Sequence, residues 1–139
     1  MNKAEAKQII ADVKSISRFK CIISDINNDL EEIACEIECI SNPKCPNSNT
    51  GIKSSSHVEK STVINSLLSD EMDLIKKRER YESRLAEALN YHQRLMNITL
   101  EEDKPFLIEF LNNANYKQLE YKFHCQNPYR KALDLVKKL

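Results

Sequence analysis

Residues 16–40 read ISRFKCIISDINNDLEEIACEIECI. The apolar residues Ile16, Phe19, Ile23, Ile26, Leu30, Ile33, Ile37 and Ile40 are separated alternately by three and four positions. That spacing is the a/d repeat of a heptad, which places every one of them on a single stripe of an α-helix. Neither Gly nor Pro interrupts the run, and the pattern extends back through Ile9, so the spacing predicts one helix over 4–40. At 1.5 Å per residue such a helix would be about 55 Å long. A lone helix would leave its row of isoleucines in water, so a partner helix is required.

The next stretch, SNPKCPNSNTGIKSSSH over 41–57, holds two prolines, the chain's one glycine and many Ser and Asn residues. These residues favour turns and helix ends, so a loop is expected there. A second helix is predicted from about Ser54–Ser56, with Ser56 and Glu59 spaced as a capping box, to about Asn97. Its apolar positions include Ile64, Leu67, Leu68, Met72, Leu74, Ile75, Tyr81, Leu85, Leu89, Leu95 and Met96. This stripe is wider than a two-stranded seam needs. The two long helices are therefore expected to fold back as an antiparallel coiled-coil hairpin, with surplus apolar surface on the second to pair hairpins into a homodimer. A parallel dimer through the first helix also satisfies isoleucine at both a and d.

Composition agrees with an all-α chain. In 139 residues there is one Gly, four Pro and no Trp, poor material for a sheet and its turns. Basic and acidic side chains balance at 21 each, which excludes a uniformly basic nucleic-acid binder. The balance is not local: residues 116–139 carry six basic side chains against two acidic ones. The opening MNKAEAKQII lacks the apolar core of a secretion signal, and no stretch is long and apolar enough to span a bilayer. A cytoplasmic protein without membrane contact is expected, and its five cysteines are then reduced thiols.

Beyond the long helices, Thr99 with Glu102 reads as a capping box and Pro105 suits a first helical turn, predicting a third helix over 100–112 that buries Phe106, Leu107, Phe110 and Leu111. A short helix over 116–123, a break at 124–127 and a last helix opened by Asn127 and Pro128 complete the chain. Residues 1–98 are thus read as the hairpin, with its loop at 41–57, and residues 99–139 as a three-helix domain ending in a helix-turn-helix. Leu119, Phe123, Cys125, Leu133 and Val136 would fix the angle between its last two helices. Glu120 falls on the inner side of the first of them, and His124 stands where glycine is common.

The candidate DNA-reading residues are Gln126, Asn127, Tyr129, Arg130 and Lys131, at the N-terminal end of the last helix. Amide and guanidinium groups there match base edges, since Asn and Gln can pair bidentately with adenine and Arg with guanine. Lys117, Lys122, Lys137 and Lys138 are candidate phosphate contacts. The plainer reading is a basic helical tail whose charges are merely solvated.

The order of parts resembles the small phage-encoded transcriptional regulators of the ArpU and RinA type, whose C-terminus is similar to region 4 of sigma factors. The resemblance rests on the opening KAEAK, the serines before the second helix, the long charged second helix and the terminal helix-turn-helix. Where the family usually carries an arginine-tyrosine and a tryptophan-glutamate pair, this chain has Glu109-Phe110 and Tyr116-Lys117. The resemblance implies a phage or prophage regulator of late genes in a bacterial host cell, acting on double-stranded DNA at a promoter or through RNA polymerase.

Other patterns are weaker. Cys35, Cys39, Cys45 and His57 can be drawn as a zinc site, but the spacing matches no known knuckle, and no cofactor or metal is expected. His92 lies on the inner stripe of the second helix. Lys76, Lys77, Arg78, Arg80 and Arg84 alternate with Asp73, Glu79, Glu82 and Glu87, as in a solvated helix face. No nucleophile-base order and no glycine-rich phosphate loop appears, so an enzyme is not expected. The alternative to a DNA binder is an adaptor that docks on RNA polymerase or a phage assembly component.

Overall fold

The computed structural model describes residues 1–41 and 57–139, with side chains from Lys60 onward in the second stretch. The only regular structure among them is helix: α1 (Lys3–Lys14), α2 (Ile16–Ser41), α3 (His57–Ile98), α4 (Lys104–Leu111), α5 (Tyr116–Phe123) and α6 (Pro128–Val136). None of these helices is long and apolar enough to cross a membrane. The loop expected over 41–57, and the Ser56–Glu59 capping box, lie outside the described residues save for Ser41 and the start of α3. The chain divides into two compact units, residues 1–20 with 83–139 and residues 21–82.

The first unit is built from both ends of the chain. Asn2 opens α1 through a capping box: its Oδ1 accepts from the Glu5 backbone N–H at 2.8 Å, and the Glu5 carboxylate accepts from the Asn2 N–H at 3.2 Å. One face of α1, Ala6, Ile9, Ile10 and Val13, is buried, and α1 packs on α6 and α4. The end of α3 contributes Ala88 and Leu95, and the core is completed by Phe106, Leu107, Phe110, Leu119, Ala132, Leu133 and Val136. Burying each large side chain stabilises the fold by about 1.5–3 kcal/mol. The rings are ordered with respect to one another, Phe106 stacking on Phe110 at 5.9 Å and meeting Phe123 edge-on at 5.6 Å.

Two local expectations are corrected. The helix predicted over 4–40 is interrupted at Ser15, which has ψ near 2° and donates its hydroxyl to the Ala11 carbonyl at 2.8 Å. Such back-bonding competes with the backbone ladder and bends helices. Nor does Thr99 cap α4: it is buried, and its Oγ1 donates at 2.5 Å to the Leu95 carbonyl, which also accepts from the Thr99 backbone N–H at 3.0 Å. Asp103 is the residue before α4 and makes no side-chain cap, so the helix begins at Lys104 rather than near 100.

In the second unit the seam of α2 is partly covered. Ile26 is buried, whereas Ile23, Leu30, Ile33, Ile37 and Ile40 are half-buried, as are Ile64, Leu67, Leu74 and Tyr81 of α3. Leu68 and Met72 are 44% and 59% exposed. A guanidinium N–H of Arg78 donates to Asn27 Oδ1 at 2.9 Å. A groove is lined by Asp29, Glu32 and Glu36 of α2 and Asp70 and Asp73 of α3.

Candidate nucleic-acid interface

Local chemistry sets the ends of α5 and α6. Asn115 caps α5, its Oδ1 accepting from the Lys117 N–H at 2.9 Å, and His124 ends that helix in the left-handed region at φ 53°, ψ 39°. The position suits glycine, because a Cβ crowds the following carbonyl there. Asn127 caps α6 by accepting from the Arg130 N–H at 3.1 Å, and Pro128, which has no N–H to leave unsatisfied, follows at the first helical position. Leu119, Leu133 and Val136 are buried between these helices and the rest of the unit, with Phe123 and Cys125 packed against them. Glu120, assigned to the inner side from sequence, is instead exposed, because α5 turns Leu119 and not its neighbour to the core.

The sequence-derived residues are distributed over two grooves. Gln126, Asn127, Arg130 and Lys131 line one, together with Asp134 and Lys138. Lys117 and Lys122 line the other, with Glu109, Tyr121 and His124. Lys137 is exposed and lines neither.

Their availability differs. Gln126 and Arg130 are exposed, and no side-chain partner engages either among the described residues. The Asn127 carbonyl is committed to capping. Tyr129 is half-buried, its ring 6.2 Å from that of Phe110, so it is mainly a packing residue. Lys131 holds its ammonium 3.5 Å from Asp103 and 4.6 Å from the Phe106 ring centroid. Lys122 is ion-paired with Glu109, while Lys117, Lys137 and Lys138 are exposed.

The unit that carries this surface has 14 basic side chains against 9 acidic ones, a net +5, whereas residues 21–82 have 7 against 12, a net −5. The neutral total therefore conceals a positive folded unit, the condition for attraction to a polyanion. Tyr121, 86% exposed beside Lys117 and Lys122, was passed over in the sequence. Its place four residues after Lys117, away from the buried Leu119, was the available clue.

Elsewhere, His92 is half-buried, and the basic run of α3 is solvated as expected: Lys76, Lys77 and Arg80 are exposed and Arg78 pairs with Glu82 at 3.9 Å. Arg84 reaches Asp12 at 3.7 Å and lies over the Phe19 ring. Cys35 is exposed and Cys39 half-buried; Cys45 and the side chain of His57 lie outside the described residues, among which no cluster suited to a metal ion occurs. No protein-family model, curated protein or solved structure matches the chain.

Proposed function

We propose that this protein is a transcriptional regulator of the phage type its sequence resembles, gripping double-stranded DNA with α5 and α6 acting as a helix-turn-helix. The observation that carries the reading is the pairing of Gln126 and Arg130, free of other side-chain duties, at the exposed N-terminal end of α6 in a unit of net charge +5. Arg and Gln in that place can read guanine and adenine edges in the major groove. Lys117, Lys137 and Lys138 then bind phosphates, which adds affinity without sequence information.

Residues 21–82 act as an antiparallel coiled-coil hairpin that dimerises. Support comes from chain direction: Asn27 bonds Arg78, while Asp29–Glu36 share a groove with Asp70–Leu74, so α2 ascends as α3 descends. The half-buried isoleucines with Leu68 and Met72 supply apolar surface for a second copy. A homodimer would offer two basic units to two half-sites.

The test is electrophoretic mobility shift with DNA upstream of the protein's own gene and of neighbouring operons, at two salt concentrations. A shift that weakens as salt rises, and that Arg130→Ala abolishes while helical circular dichroism is kept, is the expected result. Absence of any shift at low salt sinks the reading. It would favour an adaptor that docks on a protein such as RNA polymerase, for which the apolar and acidic surface of residues 21–82 is the supporting observation.

A further inference from the structure

The first unit contains a groove where the interruption at Ser15, the end of α3 and the end of α4 meet. Its floor is apolar, made by Val13, Ile16, Leu89 and Leu111, and Leu89 is 42% exposed although it lies in a recess. Its polar lining consists of Lys14, Ser17, Lys20, His92, Asn112 and Asn113, with no carboxylate among the described residues that line it. Asn113 holds a left-handed backbone at φ 62°, which turns the chain sharply at the rim.

Lys14 is the unusual member. It is half-buried, yet among the described residues its ammonium has no acidic partner: it lies 4.0 Å from the Phe110 ring centroid and donates to the Tyr116 hydroxyl at 3.4 Å. A partly desolvated cation is ordinarily matched by a carboxylate, because ring faces and a phenol oxygen replace only part of the lost hydration. Lys20, exposed in the same lining, is likewise without an ion pair among the described residues.

We infer that this groove is a binding site for a small organic anion, an apolar body ending in a carboxylate, with the body on Leu89 and Leu111 and the charged end between Lys14 and Lys20. Recesses that combine an apolar floor with a few converging polar groups are the usual form of small-molecule sites. The apolar floor distinguishes this ligand from a bare phosphate or a nucleic-acid backbone, which would gain nothing from Leu89. The site does not depend on α6 binding DNA, and none of its lining residues belongs to the proposed reading surface.

The experiment is isothermal titration calorimetry of the full chain with hexanoate as probe, at fixed ionic strength. Hexanoate is expected to bind, and Lys14→Met and Lys20→Gln should each weaken it about tenfold, as expected for loss of one charge-assisted hydrogen bond. Leu89→Gln should weaken hexanoate also, which a purely electrostatic site would not show. If Lys14→Met loses its helical circular dichroism, the exposed positions Lys20 and Leu89 decide the question alone. Unchanged affinity in those variants, or displacement of hexanoate by an equal concentration of inorganic phosphate, overturns the inference. Displacement by a short DNA duplex also overturns it, by assigning Lys14 and Lys20 to the nucleic-acid surface.

Discussion

The ammonium of Lys131 sits 3.5 Å from Oδ1 of Asp103 and 4.6 Å from the centroid of the Phe106 ring, so a residue that belongs to α6 in sequence is tied to the start of α4. Both side chains keep part of their solvent exposure, 33% for Lys131 and 23% for Asp103, which limits the ion pair to the weak end of its range.

The consequence is a division of labour between two adjacent basic residues. Lys131→Ala should lower stability by about 1 kcal/mol, the combined worth of a screened ion pair and a cation-ring contact. Arg130→Ala should leave stability within about 0.5 kcal/mol, as an exposed substitution does, yet cost more DNA affinity. Urea denaturation followed by mobility shift separates the two effects. Greater loss of binding from the Lys131 variant, with its stability unchanged, would show that the roles are reversed.

His124 offers a test of the turn. Its φ of 53° is paid for by the packing of Leu119 and Leu133 on either side, and a residue with a Cβ is strained there by about 1–2 kcal/mol. Replacement by glycine relieves that strain but raises the entropy of the unfolded chain. The net expectation is a gain of about 0.5–1 kcal/mol for His124→Gly, read as a higher midpoint in thermal unfolding. A lower midpoint would mean that the imidazole makes a contact worth more than the strain.

How far the chain could be read in advance depended on whether the deciding interactions were local. Asn127 with Pro128 was legible as the opening of α6 because a cap and its target lie within three residues. Thr99 misled for the same reason in reverse: it sits three before Glu102, but its hydroxyl turns back to Leu95, a choice fixed by burial. The face of α1 was not legible. Ile9 continues the heptad of residues 16–40, whereas Ile10 and Ala6 lie off that stripe and pack with Val13 in a core shared with α6, more than a hundred residues away. Of the proposed DNA surface, the identities were readable from composition, but the internal engagement of Tyr129, Lys131 and Lys122 required the fold.

That long-range packing makes its own prediction. Ile10 is 2% exposed, and Ile10→Ala should destabilise the first unit by about 2–4 kcal/mol, with the loss depending on how far the site can collapse. Hydrogen exchange should show the amides of α6 losing protection together with those of α1, since the two helices share one core. Protection of α6 that survives the substitution would mean that α4 to α6 fold without the N-terminal helix.

If the positive unit grips duplex DNA, its affinity must respond to salt in a way the structure limits. Arg130, Lys117, Lys137 and Lys138 are exposed and outside any ion pair among the described residues, whereas Lys122 already neutralises Glu109 and Lys131 faces Asp103. With Lys117, Lys137 and Lys138 each meeting one phosphate while Arg130 faces the bases, the logarithm of affinity per basic unit should fall against the logarithm of salt concentration with a slope of magnitude about 3. Lys137→Gln should reduce that slope by about 0.9. Lys122→Gln should change it less, because Glu109 must first be parted from its partner. Titrations at several salt concentrations with one duplex give the three slopes directly. Equal reductions from both variants would place Lys122 against the DNA and refute the assignment of its charge to Glu109.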